Sequence, residues 1–226
     1  MRTVLFDLDD TLVDQRSAAN AAVLAWAAEH GIRDAQVTQR WGAISATHYA
    51  RYQRRELTFA QQRRARAREF LSLEVTDDEA DAAFAGYLAR YEAGWTLFDD
   101  AVPALRRARS AGLTVAVLTN GHEDQQRHKL QLLGLADEVD ALVASSSLPA
   151  GKPDPRAFRG ALERLGAEAE GTSMVGNSLD YDVRGALRAG LRAVLVDRRA
   201  EHPGLDVPTV TSLDEVHFAM TAPLGT

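Results

Sequence analysis

Four aspartates lie within eight residues near the start of the chain, in the segment DLDDTLVD. They follow the apolar run TVLF, which is typical of a buried strand. Like charges held this close repel one another unless a cation or a proton reduces the repulsion. Asp7 and Asp9 are two residues apart, so in extended backbone their carboxylates point the same way and could converge on one ligand. Asp-rich turns also cap helices, and the two residues after Asp9 could serve only that purpose.

A hydroxyl, an amide and a glycine follow the next strand-like run, TVAVL, as Thr119, Asn120 and Gly121. Asn-Gly is a strong hairpin signal, but the segment after it has leucines at helical spacing and contains no returning strand. We therefore predict a strand-to-helix junction, where these groups could cradle a phosphate or an oxyanion.

The loop GKPDP contains one of only two lysines among the 26 basic residues, Lys152, the other being Lys129. A lone loop lysine is usually a solvated charge. In a chain that otherwise uses arginine, a lysine retained in a Pro-bounded loop indicates that a compact ammonium is needed.

The segment VGNSLDYDVRGA follows a further strand-like run and supplies side-chain oxygens from Asn177, Asp180 and Asp182. Gly176 permits a close backbone approach at this point. Oxygen ligands without cysteine or clustered histidine suit a hard cation, above all Mg²⁺.

These residues require elements that bring strand ends together. Short β-rich runs alternate with helical patterns, which predicts a doubly wound parallel α/β sheet. The predicted strands are 3–6, 114–120, 140–145, 172–177 and 191–197, and the predicted helices between them are 101–110, 122–133, 155–165 and 179–189. In such a sheet, ligands bind at the carboxyl ends of the strands.

The interval 15–95 has no strand-like run and predicts four or five helices that form a separate cap. The predicted domains are therefore a core of 1–14 and 96–226 and a helical cap of 15–95. Within the cap, an arginine-rich stretch predicts solvated helix faces, although one or two arginines could attract an anionic substrate. Its aromatic residues are expected to be core rather than stacking surfaces for a ligand; they are Trp26, Trp41, Tyr49 and Tyr52.

Composition narrows the class of protein. A net charge of −6 argues against non-specific nucleic-acid binding, and the absence of cysteine excludes disulfides, a thiol nucleophile and cysteine-ligated metal. No signal-like segment and no apolar run approaching the ~20 residues of a membrane span are present, so a cytoplasmic protein without membrane contact is expected. The oligomeric state is left open.

The four segments resemble the four motifs of the haloacid dehalogenase superfamily, in order, over 1–14 and about 96–200 of this chain. FDLDDTL resembles the first motif, the threonine of VLTNG the second, the lysine of GKPDP the third and VGNSLDYDVRGA the fourth. The resemblance implies a Rossmann-like core with an inserted all-helical cap.

The resemblance also implies roles for the candidate residues. Asp7 would attack a phosphate ester to form an aspartyl-phosphate, and Asp9 would protonate the leaving alcohol and later activate water. The implied contacts to substrate phosphate are Thr119, the backbone of Asn120 that follows it, and Lys152. The implied Mg²⁺ ligands are Asp7, the backbone carbonyl of Asp9, Asn177 and Asp182. Asp10 and Asp14 would be turn and cap residues.

One departure from the family pattern is visible at Asn177, where the fourth motif usually has aspartate. An amide oxygen can ligate Mg²⁺ but brings no charge, so we expect weaker metal binding unless Asp182 compensates.

The acid at position 9 favours phosphoryl transfer over dehalogenation, because a halide needs no proton to leave. The cap position is similar to that of phosphoglycolate phosphatases, β-phosphoglucomutases, pyrimidine 5′-nucleotidases and N-acylneuraminate 9-phosphatases. The segment TNGHEDQQRHKL is most similar to the last two. We predict a Mg²⁺-dependent phosphatase acting on a small phosphorylated metabolite, a nucleoside monophosphate or a sugar phosphate. Two alternatives remain, a phosphomutase and a catalytically silent protein that binds a phosphorylated ligand.

Overall fold

The computed structural model of the protein describes residues 2–218. Contacts between residues divide the chain into two units, one formed by the described parts of Met1–Val13 and Leu97–Thr226 and the other by Asp14–Thr96. Both junctions lie within one residue of the predicted ones, and the role of the second unit as a cap stays a prediction. Within the described residues, no helix has both the length and the apolar character needed to cross a membrane.

The second unit contains four helices, within the predicted four or five. They are α1 (Gln15–Glu29), α2 (Val37–Gln53), α3 (Phe59–Leu71) and α4 (Asp77–Ala93). Local side chains cap three of them. Thr58 and Thr76 each form a capping box, and Asp14 accepts a hydrogen bond from the backbone N–H of Ser17 at 3.1 Å. Each such cap contributes about 1 kcal/mol, and Asp14 is a cap residue as predicted.

An aromatic cluster fills the interior of this unit. Trp26 is fully buried and stacks on Phe70, with ring centroids 5.2 Å apart, and the Trp41 ring lies 5.5 Å from the Trp26 ring. Tyr52 is also buried, whereas Tyr49 is half-buried. The prediction of core positions is confirmed for Trp26, Trp41 and Tyr52.

The arginines of α3 do not share one environment. Arg64 and Arg68 pair with carboxylates of α4 at 2.6 and 2.7 Å. The Arg66 guanidinium lies 4.5 Å from the Trp41 ring, and burial lowers the pKa of Arg66. The prediction of solvated faces therefore does not hold for Arg66, whose charge faces aromatic rings.

Six parallel strands form the sheet of the first unit, in the order β3-β2-β1-β4-β5-β6. They are β1 (Thr3–Phe6), β2 (Thr114–Thr119), β3 (Ala141–Ala144), β4 (Thr172–Gly176), β5 (Arg192–Val196) and β6 (Thr209–Val210). The predicted doubly wound parallel α/β sheet is confirmed, and each of the five predicted strands is within one residue of its observed bounds. β6 was not predicted, because two residues are too short to show a pattern.

The helices of the first unit are α5 (Ala101–Ser110), α6 (Glu123–Leu132), α7 (Pro155–Leu165) and the short α8 (Gly185–Arg188). One wide π-helical turn over Leu179–Arg184 precedes α8, so the predicted helix 179–189 is irregular in its first half. Leu5, Leu118 and Met174 from three strands pack with Phe158 of α7 in one buried cluster. Each such side chain contributes about 1.5–3 kcal/mol by its burial.

A largely buried ion pair between Arg198 and Asp100 connects the loop after β1 with the segments near residues 198 and 212. Arg198 donates to both carboxylate oxygens of Asp100 at 2.8 Å and to the carbonyl oxygen of Thr11 at 2.8 Å. Asp100 also accepts from the Ser212 hydroxyl at 2.7 Å. Burial acts to raise the pKa of Asp100, but the Arg198, Ser212 and backbone hydrogen bonds hold it below its ordinary value.

We expect Asp100→Asn to lower the free energy of unfolding by about 3 kcal/mol at pH 7, because it leaves a guanidinium facing an uncharged amide. The folded-state pKa of Asp100 lies below 3.8, so its contribution is present above that pH and is lost as the pH falls below it. Urea unfolding at pH 7 and at a series of pH values below 3.8 measures both effects. Asp214→Asn, which disrupts an exposed pair with Arg107, is the control and should cost less than about 1 kcal/mol.

Equal losses of stability in the Asp100 and Asp214 variants would contradict this assignment.

Candidate active site

The candidate residues lie at one edge of the sheet, because neighbouring parallel strands end there together. β1 pairs with β2 on one side and with β4 on the other. Asp7 directly follows β1, Thr119 is the last residue of β2, and Asn177 directly follows β4. Lys152 reaches the same edge from the loop between β3 and α7.

Asp7 is buried, with 7% of its surface exposed, and its backbone N–H donates to the carbonyl of Val175 at 2.9 Å. One carboxylate oxygen accepts from Lys152 Nζ at 2.7 Å, and the other accepts from the Thr11 hydroxyl at 3.2 Å. Burial raises the pKa of Asp7 to about 7; Lys152 opposes this rise, and the neighbouring carboxylate of Asp182 adds to it. Burial therefore disfavours the charged form of Asp7, so a further positive charge beside it is needed to keep it a carboxylate near pH 7.

The ammonium of Lys152 is shared by two buried carboxylates. It lies 2.7 Å from Asp7 Oδ1 and 2.6 Å from Asp182 Oδ1. Burial alone would lower the pKa of Lys152, but Asp182 and Asp7 raise it above its ordinary value. The Asn120 side chain braces this loop, since its amide donates to the Lys152 carbonyl and accepts from the Lys152 N–H, both at 2.7 Å.

The lysine is therefore not a solvated loop charge. The side-chain amide of Asn120 forms hydrogen bonds with the Lys152 backbone. A phosphate contact through the backbone of Asn120 stays a prediction.

Asp182 approaches the end of β4 closely because Gly176 has no side chain. A Cβ at position 176 would overlap the Asp182 carboxylate. The second oxygen of Asp182 accepts from the backbone N–H of Ser178 at 2.9 Å. Asp180, by contrast, is exposed and pairs with Arg184 at 2.6 Å, so the structure does not bring it into the site.

The hydroxyl of Thr11 joins the first and fourth motifs. It lies 3.2 Å from Asp7 Oδ2 and 3.3 Å from Asn177 Oδ1, and it accepts from the Asn177 backbone N–H at 3.0 Å. The sequence predicts only a possible cap role for Thr11. Its burial and its contacts with Asp7 and Asn177 are not visible in the sequence pattern.

Asp9 is held by α6 and not by its neighbours in the chain. Gln126 Nε2 donates to Asp9 Oδ2 at 2.8 Å and to Thr119 Oγ1 at 2.9 Å. Lys129 Nζ forms an ion pair with Asp9 Oδ1. The sequence interpretation gave neither Gln126 nor Lys129 a role, although Lys129 is one of the two lysines in the chain.

The oxygen atoms of this edge fit a hard cation. Two buried aspartates, Asp7 and Asp182, share the single charge of Lys152, so both can be ionised together only if a further positive charge is bound beside them. Asp7 Oδ2 and Asn177 Oδ1 converge on the same hydroxyl. Across residues 2–218, no group of three or more His, Cys, Asp or Glu side chains is arranged to hold a metal, so a cation here would also need amide or backbone oxygens.

The chain matches a known protein family over most of its length. The haloacid dehalogenase-like hydrolase family matches residues 1–190. The phosphoserine phosphatase of Thermus thermophilus is 47% identical over 111 residues, which cover 48% of this chain and 45% of that protein, so the match spans about half of each. The phosphoglycolate phosphatase of Rhodospirillum rubrum is 32% identical over 202 residues, covering 86% of this chain and 79% of that protein.

The fold is also found among solved structures. The HAD-hydrolase YfnB from Bacillus subtilis superposes with a TM-score of 0.80 at 22% identity, covering 95% of this chain and 96% of that one. Its likeness concerns the fold, whereas the family match extends over all four motifs. The chain therefore belongs to the haloacid dehalogenase-like hydrolase family.

Proposed function

We propose that the protein is a phosphatase that hydrolyses small phosphate monoesters with Asp7 as its nucleophile. The observation that carries this proposal is that the two aspartates of the first motif pair with different lysines. Asp7 lies buried 2.7 Å from Lys152 Nζ, while Asp9 is partly exposed and faces Gln126 and Lys129. A carboxylate nucleophile and a separate carboxyl group for proton transfer are the two groups that this chemistry needs. The phosphoserine and phosphoglycolate phosphatases among the relatives support the same reaction class.

The reaction has two steps. In the first, a carboxylate oxygen of Asp7 attacks phosphorus, the bond from phosphorus to the alcohol oxygen breaks, and Asp9 gives its proton to that oxygen. In the second, a water oxygen attacks phosphorus while Asp9 accepts the proton of the water. The bond between Asp7 and phosphorus then breaks, which releases phosphate and restores the carboxylate.

We propose that three groups bind the transferring phosphoryl oxygens. These are the Lys152 ammonium, the Thr119 hydroxyl and the backbone N–H of Asn120. Their positions are fixed before substrate binds, because Asn120 braces the Lys152 loop and Gln126 donates to Thr119. Preorganised donors of this kind stabilise the charge that develops in the transition state.

Mg²⁺ is the cation that we propose for the site. Asp7, Asp182, Asn177 and the backbone carbonyl of Asp9 would hold it. When bound, Mg²⁺ would neutralise Asp7 against the incoming phosphate dianion. Asn177 would contribute an uncharged oxygen, which lies 3.3 Å from the Thr11 hydroxyl oxygen.

We propose a small phosphorylated metabolite as substrate, and nucleoside monophosphates and sugar phosphates are the two classes to test first. We also propose that the helical unit of Asp14–Thr96 is the cap that selects among these substrates. The segment TNGHEDQQRHKL is the feature that favours the nucleotidase and acylneuraminate phosphatase types. A phosphomutase would share the first step but would return the phosphate to a sugar hydroxyl, so product analysis with glucose 1-phosphates separates the two.

A panel of phosphate esters tests the proposal. It should contain nucleoside monophosphates, sugar phosphates, phosphoserine and phosphoglycolate, each with Mg²⁺ and with a chelator. We expect Mg²⁺-dependent release of inorganic phosphate from at least one ester. A folded protein that binds an ester of the panel but releases no phosphate would instead be a phospho-ligand-binding homologue.

We expect Asp9→Asn to slow phosphorylation of the enzyme by alkyl phosphates by about 100-fold or more, and by p-nitrophenyl phosphate much less. The reason is that p-nitrophenolate leaves without a proton from a general acid. Single-turnover kinetics with both substrates measure the difference. Equal losses with the two substrates would count against Asp9 as the acid.

A further inference from the structure

Both lysines of the chain are buried, and each faces a different aspartate of the first motif. Lys152 is 4% exposed and contacts Asp7, and Lys129 is 1% exposed and contacts Asp9. The remaining basic residues are all arginine. A fully buried ammonium is costly unless it is paired, so the Lys129–Asp9 pair is a specific structural feature and not a solvated surface contact.

Asp9 has one partner on each carboxylate oxygen. Lys129 contacts Oδ1, and Gln126 Nε2 donates to Oδ2 at 2.8 Å. Gln126 is itself buried and fixed by its second hydrogen bond, to Thr119 Oγ1 at 2.9 Å. Gly121 makes room for this amide, since a Cβ there would lie 2.5 Å from the Gln126 side chain.

The two partners of Asp9 come from one rigid element. Gln126 and Lys129 are three residues apart on α6, so they project from the same face of the helix. The Asp9 side chain is 31% exposed, and at that exposure it would sample several rotamers without such contacts. A proton donor is effective only when its oxygen lies within hydrogen-bond reach of the leaving group.

We propose that Lys129, together with Gln126, is a positioning residue that holds the Asp9 carboxyl group in the rotamer needed for proton transfer to the leaving alcohol. The proposal rests on the proposed function. Lys129 gives and takes no proton in the reaction, so its effect on the chemical step is exerted through Asp9.

A double-mutant cycle tests this role. Single-turnover phosphorylation is measured with an alkyl phosphate and with p-nitrophenyl phosphate for the wild type, Asp9→Asn, Lys129→Met and the double variant. We expect Lys129→Met to slow the alkyl phosphate at least about tenfold more than the aryl phosphate. In the Asp9→Asn background, Lys129→Met should add less than about a twofold loss, because the group that it positions is already inactive.

Arg127→Met is the matched control. Arg127 lies on the same helix and forms an exposed pair with Glu123, so its removal should leave the alkyl-to-aryl ratio unchanged. If Lys129→Met does not fold, Lys129→Gln takes its place under the same criteria, with far-UV circular dichroism as the check.

The outcomes separate the two claims. Suppose that Asp9→Asn slows the alkyl phosphate selectively. If Lys129→Met then slows the alkyl and aryl phosphates equally, or if the losses of the two single variants add in the double variant, the positioning role is overturned and Lys129 is a structural residue. Equal losses in Asp9→Asn itself overturn the acid role of Asp9, and the positioning role with it.

Discussion

Asp7→Asn is expected to reduce phosphate release by on the order of 10⁴-fold or more while the fold is retained. An amide cannot form the covalent bond to phosphorus, and the remaining oxygen can still accept from Lys152 or from the Thr11 hydroxyl. The substitution also removes a charge that burial and Asp182 disfavour, so the melting temperature should not fall. Steady-state kinetics and thermal unfolding measure the two effects.

Asp10→Asn is the control for this experiment. It makes the same change three residues along the same loop, at a left-handed turn position with φ of 62° that asparagine tolerates. We expect near wild-type turnover. Substantial phosphate release by Asp7→Asn, with deamidation excluded by mass spectrometry, would contradict the nucleophile assignment.

Lys152→Arg is expected to lower kcat/KM by about 100-fold or more although the charge is kept. The ammonium of Lys152 fits between Asp7 Oδ1 and Asp182 Oδ1, at 2.7 and 2.6 Å, in a fully buried space. A planar guanidinium is larger and directs its donors differently, so it displaces one or both carboxylates. Kinetics with the best ester of the panel measure the loss.

Arg156→Lys is the matched control, since Arg156 lies near the same loop in an exposed pair with Asp154. It should change kcat/KM by less than about twofold. A Lys152→Arg enzyme with near-normal kcat/KM would return Lys152 to the role of a general positive charge.

The sequence predicts the strand ends well because each strand is an apolar run that stops at a polar residue. Asp7, Thr119 and Asn177 are placed at one sheet edge by this rule alone, since parallel neighbouring strands must end together. Lys152 is a candidate because lysine is rare in a chain whose other basic residues are almost all arginine. These features are local in the sequence, or depend only on strand order.

The contacts of Asp9 could not be predicted in this way. Gln126 and Lys129 are separated from Asp9 by 117 and 120 residues, and helical periodicity does not say which polar residues of α6 face the sheet edge. The same applies to Asn120, whose side chain braces the backbone of Lys152, 32 residues away. Whether a side chain forms hydrogen bonds with a backbone segment far away in the sequence depends on loop geometry, which the local sequence pattern does not show.

Trapping the covalent intermediate tests the central claim most directly. The Asp9→Asn protein is mixed with p-nitrophenyl phosphate and Mg²⁺, quenched in acid within the first turnover, digested and mapped by mass spectrometry. Loss of the base should slow hydrolysis of the intermediate more than its formation, so we predict a phosphorylated peptide with the phosphate on Asp7. Release of p-nitrophenolate with no phosphate on Asp7, or with the phosphate on another residue, would contradict the account.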